Sequence, residues 1–234
     1  MSEKIDLSTL TAPKLVDPRL LGFHVVFLVA GGLLLFADTP VPVGWRLFFA
    51  GVVYNLAFPL FAASCVEPRW IRMWSFLFPL SILQILPDWH LAANLGTLIF
   101  PDLGFPKIGP VSLFMGLLWI VPLLLVVDFA ERLIDHYGPR IAALGAAGLA
   151  LLLFGAAEAT LTLIPVWHAQ NVLMVGPVAL YVLLPEAILG AATWWTFRQS
   201  QKRPVLYGLL GAVAVMTLYA VSLTVSWWLF GFIS

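Results

Sequence analysis

The sequence predicts an all-α protein that crosses a membrane seven times. Hydrophobic residues fill 62% of its 234 positions and charged residues only 10%, whereas soluble domains are about half apolar and about a quarter charged. Its mean hydropathy is +0.99. Stretches of about 20 residues without strong charge, the length that about 30 Å of hydrocarbon requires, can be drawn seven times. The basic residues also divide between alternate loops.

The seven predicted spans follow one another through short loops, so we expect a single transmembrane domain at 19–234 after a short cytoplasmic lead at 1–18. About 18 mostly polar residues precede the first span and no small-residue cleavage site follows it, which predicts that the span is retained. The spans cover 20–37, 45–66, 71–100, 110–127, 141–164, 172–197 and 204–233. The third is too long for one straight crossing and contains Pro79 and Pro87, which predicts a break just before Asp88.

The distribution of Lys and Arg predicts the orientation, because cytoplasmic loops retain positive charge. Arg46 and Lys107 lie on one side of the predicted membrane. The other side carries Lys4, Lys14, Arg19, Arg69, Arg72, Arg132, Arg140, Arg198, Lys202 and Arg203. This asymmetry predicts a cytoplasmic N-terminus and an external C-terminus. Asp128, Glu131, Arg132 and Asp135 are then expected to form a solvated border at the cytoplasmic end of the fourth span.

A weak internal repeat relates two parts of the chain. Thr97-Leu98-Ile99, Pro101 and the run Gly109-Pro110-Val111 have counterparts in Thr162-Leu163-Ile164, Pro165 and Gly176-Pro177-Val178. The pattern predicts that helices 3–4 and helices 5–6 are two copies of one hairpin. Chance similarity between apolar helices is the alternative.

Three acidic residues, Asp88, Glu158 and Glu186, lie inside predicted spans and are the candidate catalytic residues. A charged Asp at the centre of a membrane helix costs about 3 kcal/mol, so such residues face a cavity, a partner or a protonation event. Counted along the helices at about 1.5 Å per residue, Asp88 and Glu158 fall in the outer half of the membrane and Glu186 near its middle. The alternative for each is a structural hydrogen bond between helices.

Other polar and aromatic side chains lie at similar depth and are candidate substrate-binding residues. Glu158 and Thr162 share one helix face, and Glu186, Gly190 and Thr193 share another. The candidates for substrate binding are His90, Asn55, Asn94, Trp167, His168 and Tyr181. Asp88 and His90 are two positions apart and point in nearly opposite directions on a regular helix, so only a distortion at Pro87 would let both serve one site. Hydrogen bonding between helices and interfacial anchoring are the alternatives.

Buried carboxyl groups in an aromatic environment indicate acid–base chemistry on apolar substrates. Hydrocarbon surroundings favour the protonated carboxyl, which can donate a proton to an alkene or an epoxide, while a second carboxylate takes a proton from the resulting cation. The chain has 10 Trp, 17 Phe and 5 Tyr, whose ring faces favour a cation. Membrane-interface belts also collect Trp and Tyr.

The sequence predicts no metal, no cofactor and no nucleic-acid partner. Its histidines, at 24, 90, 136 and 168, include no pair one helical turn apart, and Cys65 is the single cysteine, so neither a zinc-hydrolase pattern nor a thiolate pattern is present. The last span contains no lysine for a retinal Schiff base. No basic stripe exists beyond the cytoplasmic loops.

Two stretches resemble integral membrane enzymes of isoprenoid metabolism. The segment from Pro101 to Pro122, a Gly/Pro-rich loop leading into an apolar helix, is similar to a segment of carotenoid hydratases. Leu183-Leu184-Pro185-Glu186 resembles the Leu-Pro-x-Glu-Glu motif of membrane lycopene cyclases, although Ala187 stands where a second carboxylate is expected. The size, the seven spans and the buried acids also resemble membrane terpene cyclases of meroterpenoid pathways.

The resemblance implies a lipid-soluble terpenoid or carotenoid substrate that enters from the bilayer and is protonated by a carboxylic acid. Cyclisation, hydration or isomerisation would follow, without metal or nucleotide. We expect membrane lipid as the surroundings, in a bacterial inner membrane, and the oligomeric state is open. Two alternatives from other classes are a small proton-coupled transporter and a noncatalytic subunit of a membrane complex.

Overall fold

The computed structural model of the protein describes residues 15–161 and 163–230, and most of these are helical. Parts of the expected cytoplasmic lead, Thr162 and the end of the last predicted span lie outside the described residues. The helices are α1 (Pro18–Phe36), α2 (Val43–Ser64), α3 (Pro68–Leu83), α4 (Ile85–Trp89), α5 (Met115–Leu118), α6 (Ile120–Thr160), α7 (Leu180–Ser200) and α8 (Val205–Phe230).

Among the described residues, five helices are long and apolar enough to cross a membrane. They are Pro18–Phe36, Val43–Ser64, Pro68–Leu95, Leu180–Ser200 and Val205–Phe230. Large apolar side chains cover their outer surfaces, for example Leu33 at 72% exposure and Leu60 at 72%. An apolar outer surface suits lipid rather than water. The chain is therefore an all-α, multi-pass membrane protein.

The third predicted span is a continuous but irregular helix. The regular α-helix is interrupted at Gln84, ahead of Asp88, and resumes as α4, where Pro87 lies in the first turn and its missing N–H is tolerated. A π-helical segment, His90–Leu95, follows and ends at Gly96, which has a φ of +63°. The irregularity that we predicted at Pro87 is thus divided between Gln84 and the π-helical segment.

No loop separates the fourth and fifth predicted spans, because α6 stays helical on both sides of a single break. Gly138 adopts a φ of +77°, which glycine tolerates, and Pro139 follows it. A straight helix would hold Leu133 and Gly145 about 18 Å apart. Instead, a Cβ added to Gly145 would collide with Leu133 Cδ1. The chain therefore turns back at Gly138, and α6 consists of a first arm (120–137) and a second arm (139–160).

Short antiparallel strands replace the first turns of two predicted spans. Strands β2 (Lys107–Ile108) and β3 (Val111–Ser112) form one hairpin, and β5 (Met174–Val175) and β6 (Val178–Ala179) form another. The turns are Gly109-Pro110 and Gly176-Pro177, and both glycines have a positive φ, as two-residue hairpin turns require. This half of the predicted repeat has one local structure in both copies. Leu98–Ile99 forms β1, whereas Leu163 and Ile164 form a turn and a bend, so equivalence of the helix pairs remains a prediction.

Buried polar side chains fix α3 and α2 against the junction of α5 and α6. Ser81 Oγ donates a hydrogen bond to the carbonyl of Gly116 at 2.7 Å and accepts one from the amide of Ile120 at 3.1 Å. Asn55 Nδ2 donates to the carbonyls of Gly51 and Leu117. These bonds satisfy backbone groups at the point where the helix geometry changes.

The predicted solvated border is wrong for two of its members. Asp128 and Glu131 are only 2% and 5% exposed. Asp128 accepts hydrogen bonds from Arg69, Arg132 and the indole of Trp70. Glu131 likewise accepts hydrogen bonds from the side chains of Trp194, Arg198 and Gln201. The carboxylates are buried because cations and N–H groups compensate their charge, which the sequence pattern of the first arm alone does not reveal.

Candidate active site

A cavity of about 190 Å³ lies among α4, α5, both arms of α6, α7 and α8, and all three candidate acids line it. Asp88 comes from α4, Glu158 from the end of the second arm and Glu186 from α7, directly after Pro185. The remaining lining is aromatic or aliphatic. It includes Phe100, Trp119, Phe154, Trp167, Tyr181, Tyr219, Leu91, Leu98, Met115, Leu118 and Val182. The structure thus brings together carboxyl groups from three separate helices in apolar surroundings.

The three carboxyl groups differ in their hydrogen-bond partners. Asp88 Oδ2 accepts a hydrogen bond from the indole Nε1 of Trp119 at 3.1 Å. Glu158 Oε2 accepts one from the amide of Ala179 at 3.2 Å. Glu186 Oε2 is buried and has no hydrogen-bond partner among the described residues. An N–H donor stabilises the charged form of a carboxyl group, and a buried group without one favours the neutral form.

The three acids share the cavity with a buried phenol. Tyr219, which lies in the middle of α8, lines the cavity together with Asp88, Glu158 and Glu186. Like charges gathered in one apolar cavity are unfavourable, because a low dielectric screens them poorly.

Two loops pair with each other beside the cavity and contribute Leu98 and Ala169 to its lining. Strand β1 (Leu98–Ile99) pairs with β4 (His168–Ala169), and Gln170 donates through its amide and its side chain to the carbonyls of Thr97 and Gly96. The hydroxyls of Thr97 and Tyr181 lie 2.9 Å apart. We call this arrangement, residues 96–99, 168–170 and Tyr181, the roof of the cavity.

Of the candidate substrate-binding residues, only Trp167 and Tyr181 line the cavity. His90 bonds instead to Thr224 of α8 and to Asn94, so it and Asp88 do not share a site. Asn55 donates hydrogen bonds to the backbone carbonyls of Gly51 and Leu117. His168 is exposed in β4. These four side chains have local structural partners or an exposed position, and lie outside the site.

The helix faces predicted around the acids are only partly described. Glu186, Gly190 and Thr193 are all buried on one face of α7, as the spacing indicates. Gly190 lies against the second arm, where a Cβ would meet Ala150 Cβ at 2.5 Å. Thr162, expected to share a face with Glu158, lies outside the described residues.

Sequence reasoning missed four aromatic residues of the cavity, Phe100, Trp119, Phe154 and Tyr219. The Trp119 ring centroid lies 5.2 Å from that of Phe154 and 5.9 Å from that of Tyr219. Tyr219 carried a usable signal, because its hydroxyl occurs in the middle of an apolar span and not at the interface where Tyr collects. Among many apolar neighbours, Trp119 and Phe154 carried no such signal.

Within residues 15–161 and 163–230, no group of three or more His, Cys, Asp or Glu side chains is placed to hold a metal ion.

Comparison with known proteins identifies the family of the chain. Residues 85–230 match a family described as Domain of unknown function (DUF6989). The chain belongs to this family. The matched region begins at α4 and contains all three acids. No curated protein and no solved structure matches the chain.

Proposed function

We propose that this member of DUF6989 is a membrane-embedded enzyme that protonates an alkene or epoxide of a lipid-soluble isoprenoid. The observation that carries the proposal is the meeting of Asp88, Glu158 and Glu186 in one cavity whose other walls are apolar and aromatic. Buried ionisable groups inside a membrane are costly and mark functional sites. The isoprenoid class itself rests on the sequence resemblance of 101–122 and 183–186 to membrane enzymes of that metabolism.

We further propose seven crossings, with the N-terminus in the cytoplasm and the C-terminus outside. The support is the reversal of α6 at Gly138, which turns one 41-residue helix into two arms and adds two crossings to the five apolar helices. The uneven distribution of Lys and Arg supports the orientation. The placement in a bacterial inner membrane and the descent of the two helix pairs from one repeat stay predictions.

In the proposed mechanism, Glu186 is the proton donor. Its Oε2 lacks a hydrogen-bond donor among the described residues, which favours the protonated form. The carboxyl O–H adds its proton to one alkene carbon or to the epoxide oxygen, and Glu186 becomes a carboxylate while a carbocation forms. Asp88 and Glu158 each accept an N–H hydrogen bond, so they suit the role of proton acceptor.

The rest of the reaction balances without any further reactant. Another double bond of the same molecule can attack the cation, which closes a ring and moves the positive charge to another carbon. The open-chain or cyclic cation then loses a proton from a neighbouring carbon to Asp88 or Glu158. Either path ends in an isomer of the substrate, and transfer of that proton back to Glu186 restores the enzyme. Hydration would instead require one water molecule to attack the cation. The ring faces of Trp119, Phe154 and Tyr219 stabilise the cation by about 0.5–2 kcal/mol each.

The same observations bear on the two alternative functions. A proton-coupled carrier needs a polar path with a second opening to water, whereas the lining beyond the acids and tyrosines is largely apolar. A noncatalytic subunit needs acids that are satisfied by neighbouring helices, and Glu186 Oε2 has no such partner among the described residues. The enzyme proposal accounts for both features.

The test combines Glu186→Gln with a search for the substrate. Lipid extracted from purified protein is analysed by mass spectrometry, and the isoprenoids found are incubated with the enzyme in D2O. For an alkene substrate we expect one carbon-bound solvent deuterium in the product, whereas an epoxide gives a hydroxyl whose deuterium exchanges with water. For either substrate, Glu186→Gln should show no measurable turnover, because an amide cannot donate the proton.

Glu67→Gln is the matched control, since Glu67 lies outside the cavity in an ion pair with Arg19. It should turn over like the wild type. Turnover by Glu186→Gln at the wild-type rate would remove Glu186 from the mechanism. A product without solvent deuterium would refute protonation of carbon.

A further inference from the structure

Trp119 connects the candidate acids to the surface of the bundle. Its indole N–H donates to Asp88, and its ring contacts Phe154 of the second arm and Tyr219 of α8. The side chain lines the cavity but is only half-buried. One residue therefore lies between an acid and the outside of the protein.

The two arms of α6 meet closely near the break, and a ring pair lies between them at the level of the acids. Near the break, Leu133 packs into the space beside Gly145. At the level of the acids, Trp119, which directly precedes the first arm, contacts Phe154 of the second arm. Cavity residues next to this contact, Leu118, Pro122 and Ala157, are also half-buried.

The surface outside this contact is apolar. On the second arm, Leu152 is 70% exposed and Ala156 and Ala159 are exposed. On the opposite side, Val121 and Leu125 are half-buried. Such a surface is covered by lipid chains in a membrane, so a path that opens here leads into the bilayer and not into water.

We propose that the ligand enters sideways between the two arms of α6, through a lateral portal that the Trp119 ring closes against Phe154. Trp119 is at the same time a positioning residue for Asp88, because its N–H holds that carboxyl group in the cavity. Rotation of the ring opens the portal and breaks the hydrogen bond in one movement. The inference rests on the proposed function in taking the ligand to be lipid-soluble.

The roof offers a second route, and the structure favours the portal over it. Leu98, Trp167 and Ala169 also line the cavity and are half-buried. Opening the roof breaks the pairing of β1 with β4 and both hydrogen bonds of Gln170. Opening the portal breaks one side-chain hydrogen bond and the two ring contacts of Trp119, and no backbone pairing.

The test uses dicyclohexylcarbodiimide, a lipid-soluble reagent that modifies protonated carboxyl groups, on the full chain in lipid vesicles. Peptide mass spectrometry measures the modification rate of each acid. Trp119→Ala should raise the rate at Glu186 severalfold, because the portal loses its closure. Trp119→Phe should leave the rate at Glu186 near that of the wild type, since a ring remains. It should raise the rate at Asp88, which loses its N–H partner and so favours the protonated form.

Trp228→Ala is the matched control, since Trp228 is 67% exposed on α8 and does not line the cavity. It should leave all rates unchanged. Trp167→Ala opens the roof side instead. Faster modification in Trp167→Ala but not in Trp119→Ala would overturn the portal, as would equal rates with a water-soluble carbodiimide. An unchanged Asp88 rate in Trp119→Phe would overturn the positioning role.

These outcomes are separable from failure of the proposed function. If Glu186→Gln turns over normally while Trp119→Ala still speeds modification, the chemistry is refuted and the portal stands. If Trp119→Ala does not fold, as shown by its unfolding temperature, the Trp119→Phe result at Asp88 still decides whether Trp119 positions that acid.

Discussion

Replacement of Gly190 by alanine tests whether the packing of α7 on the second arm of α6 positions the acids. Gly190 lies one helical turn from Glu186 and is buried. A Cβ at this position would lie 2.5 Å from Ala150 Cβ and 2.6 Å from the carbonyl oxygen of Ala146. Neither atom belongs to a flexible side chain, so the two helices must separate by about 1 Å to restore ordinary contact.

The expected loss of stability follows from two opposing contributions. Overpacking of this kind costs about 1–3 kcal/mol, whereas alanine is favoured over glycine inside a helix by about 1 kcal/mol. Gly190→Ala should therefore lower the free energy of unfolding by up to about 2 kcal/mol. Because α7 carries Glu186 and the second arm carries Glu158, turnover should fall more steeply, as a displacement of about 1 Å can cost about 100-fold.

The measurement is chemical unfolding in detergent micelles, followed by circular dichroism. Gly148→Ala is the control, because Gly148 lies on the second arm with no atom within 4 Å of the added Cβ. It should be unchanged or stabilised by up to about 1 kcal/mol. If Gly190→Ala proves as stable as Gly148→Ala, the close approach of α7 to the second arm is not a tight constraint and the reasoning fails.

Two further predictions concern other parts of the bundle. Ser81→Ala should destabilise the protein by about 1–3 kcal/mol, because two buried backbone groups lose their partner; Ser75→Ala, on an exposed face of α3, is the control, and equal unfolding midpoints would contradict the prediction. The hydrogen bond and charge of Arg19 lower the pKa of Asp17 to about 2 from its ordinary value of 3.8, so the charge of Asp17 stabilises the fold above pH 3.8 and the effect is lost as the pH falls towards 2. Since Arg19 is half exposed, we expect Asp17→Asn to cost about 1 kcal/mol at neutral pH and progressively less as the pH falls through about 2. A pH-independent difference in unfolding would refute the assignment.

The membrane class and the helices could be predicted from the sequence because hydropathy alone determines which segments can span a bilayer. The predicted span 45–66 is shifted by two residues from α2, and the predicted span 204–233 begins one residue before α8. The loop between 127 and 141 was not foreseen as helix. Polar residues of the first arm look solvated in the sequence, yet Asp128 and Glu131 are buried by cations from other helices.

The acids of the site could be predicted, because an ionisable group inside a membrane is costly and is retained where it has a function or a partner. Asp88, Glu158 and Glu186 share a cavity, as the cost of burying them indicated. The side chains that surround them were not predictable, because no helical period shows which aromatic residue of one helix meets an acid of another. Trp119 reaches Asp88 across 31 positions and was found only in the structure.

The roof has a consequence for how the molecule assembles. The roof joins segments that are 74 and 84 positions apart in the chain. Closing such long loops costs conformational entropy, and this cost is smaller once the intervening hairpin of α6 has formed. The pairing of β1 with β4 should therefore be among the last steps of folding. Until then the cavity stays open to its surroundings. A nascent chain arrested before α7 is synthesised lacks Tyr181, so its roof is incomplete and Asp88 and Glu158 stay exposed.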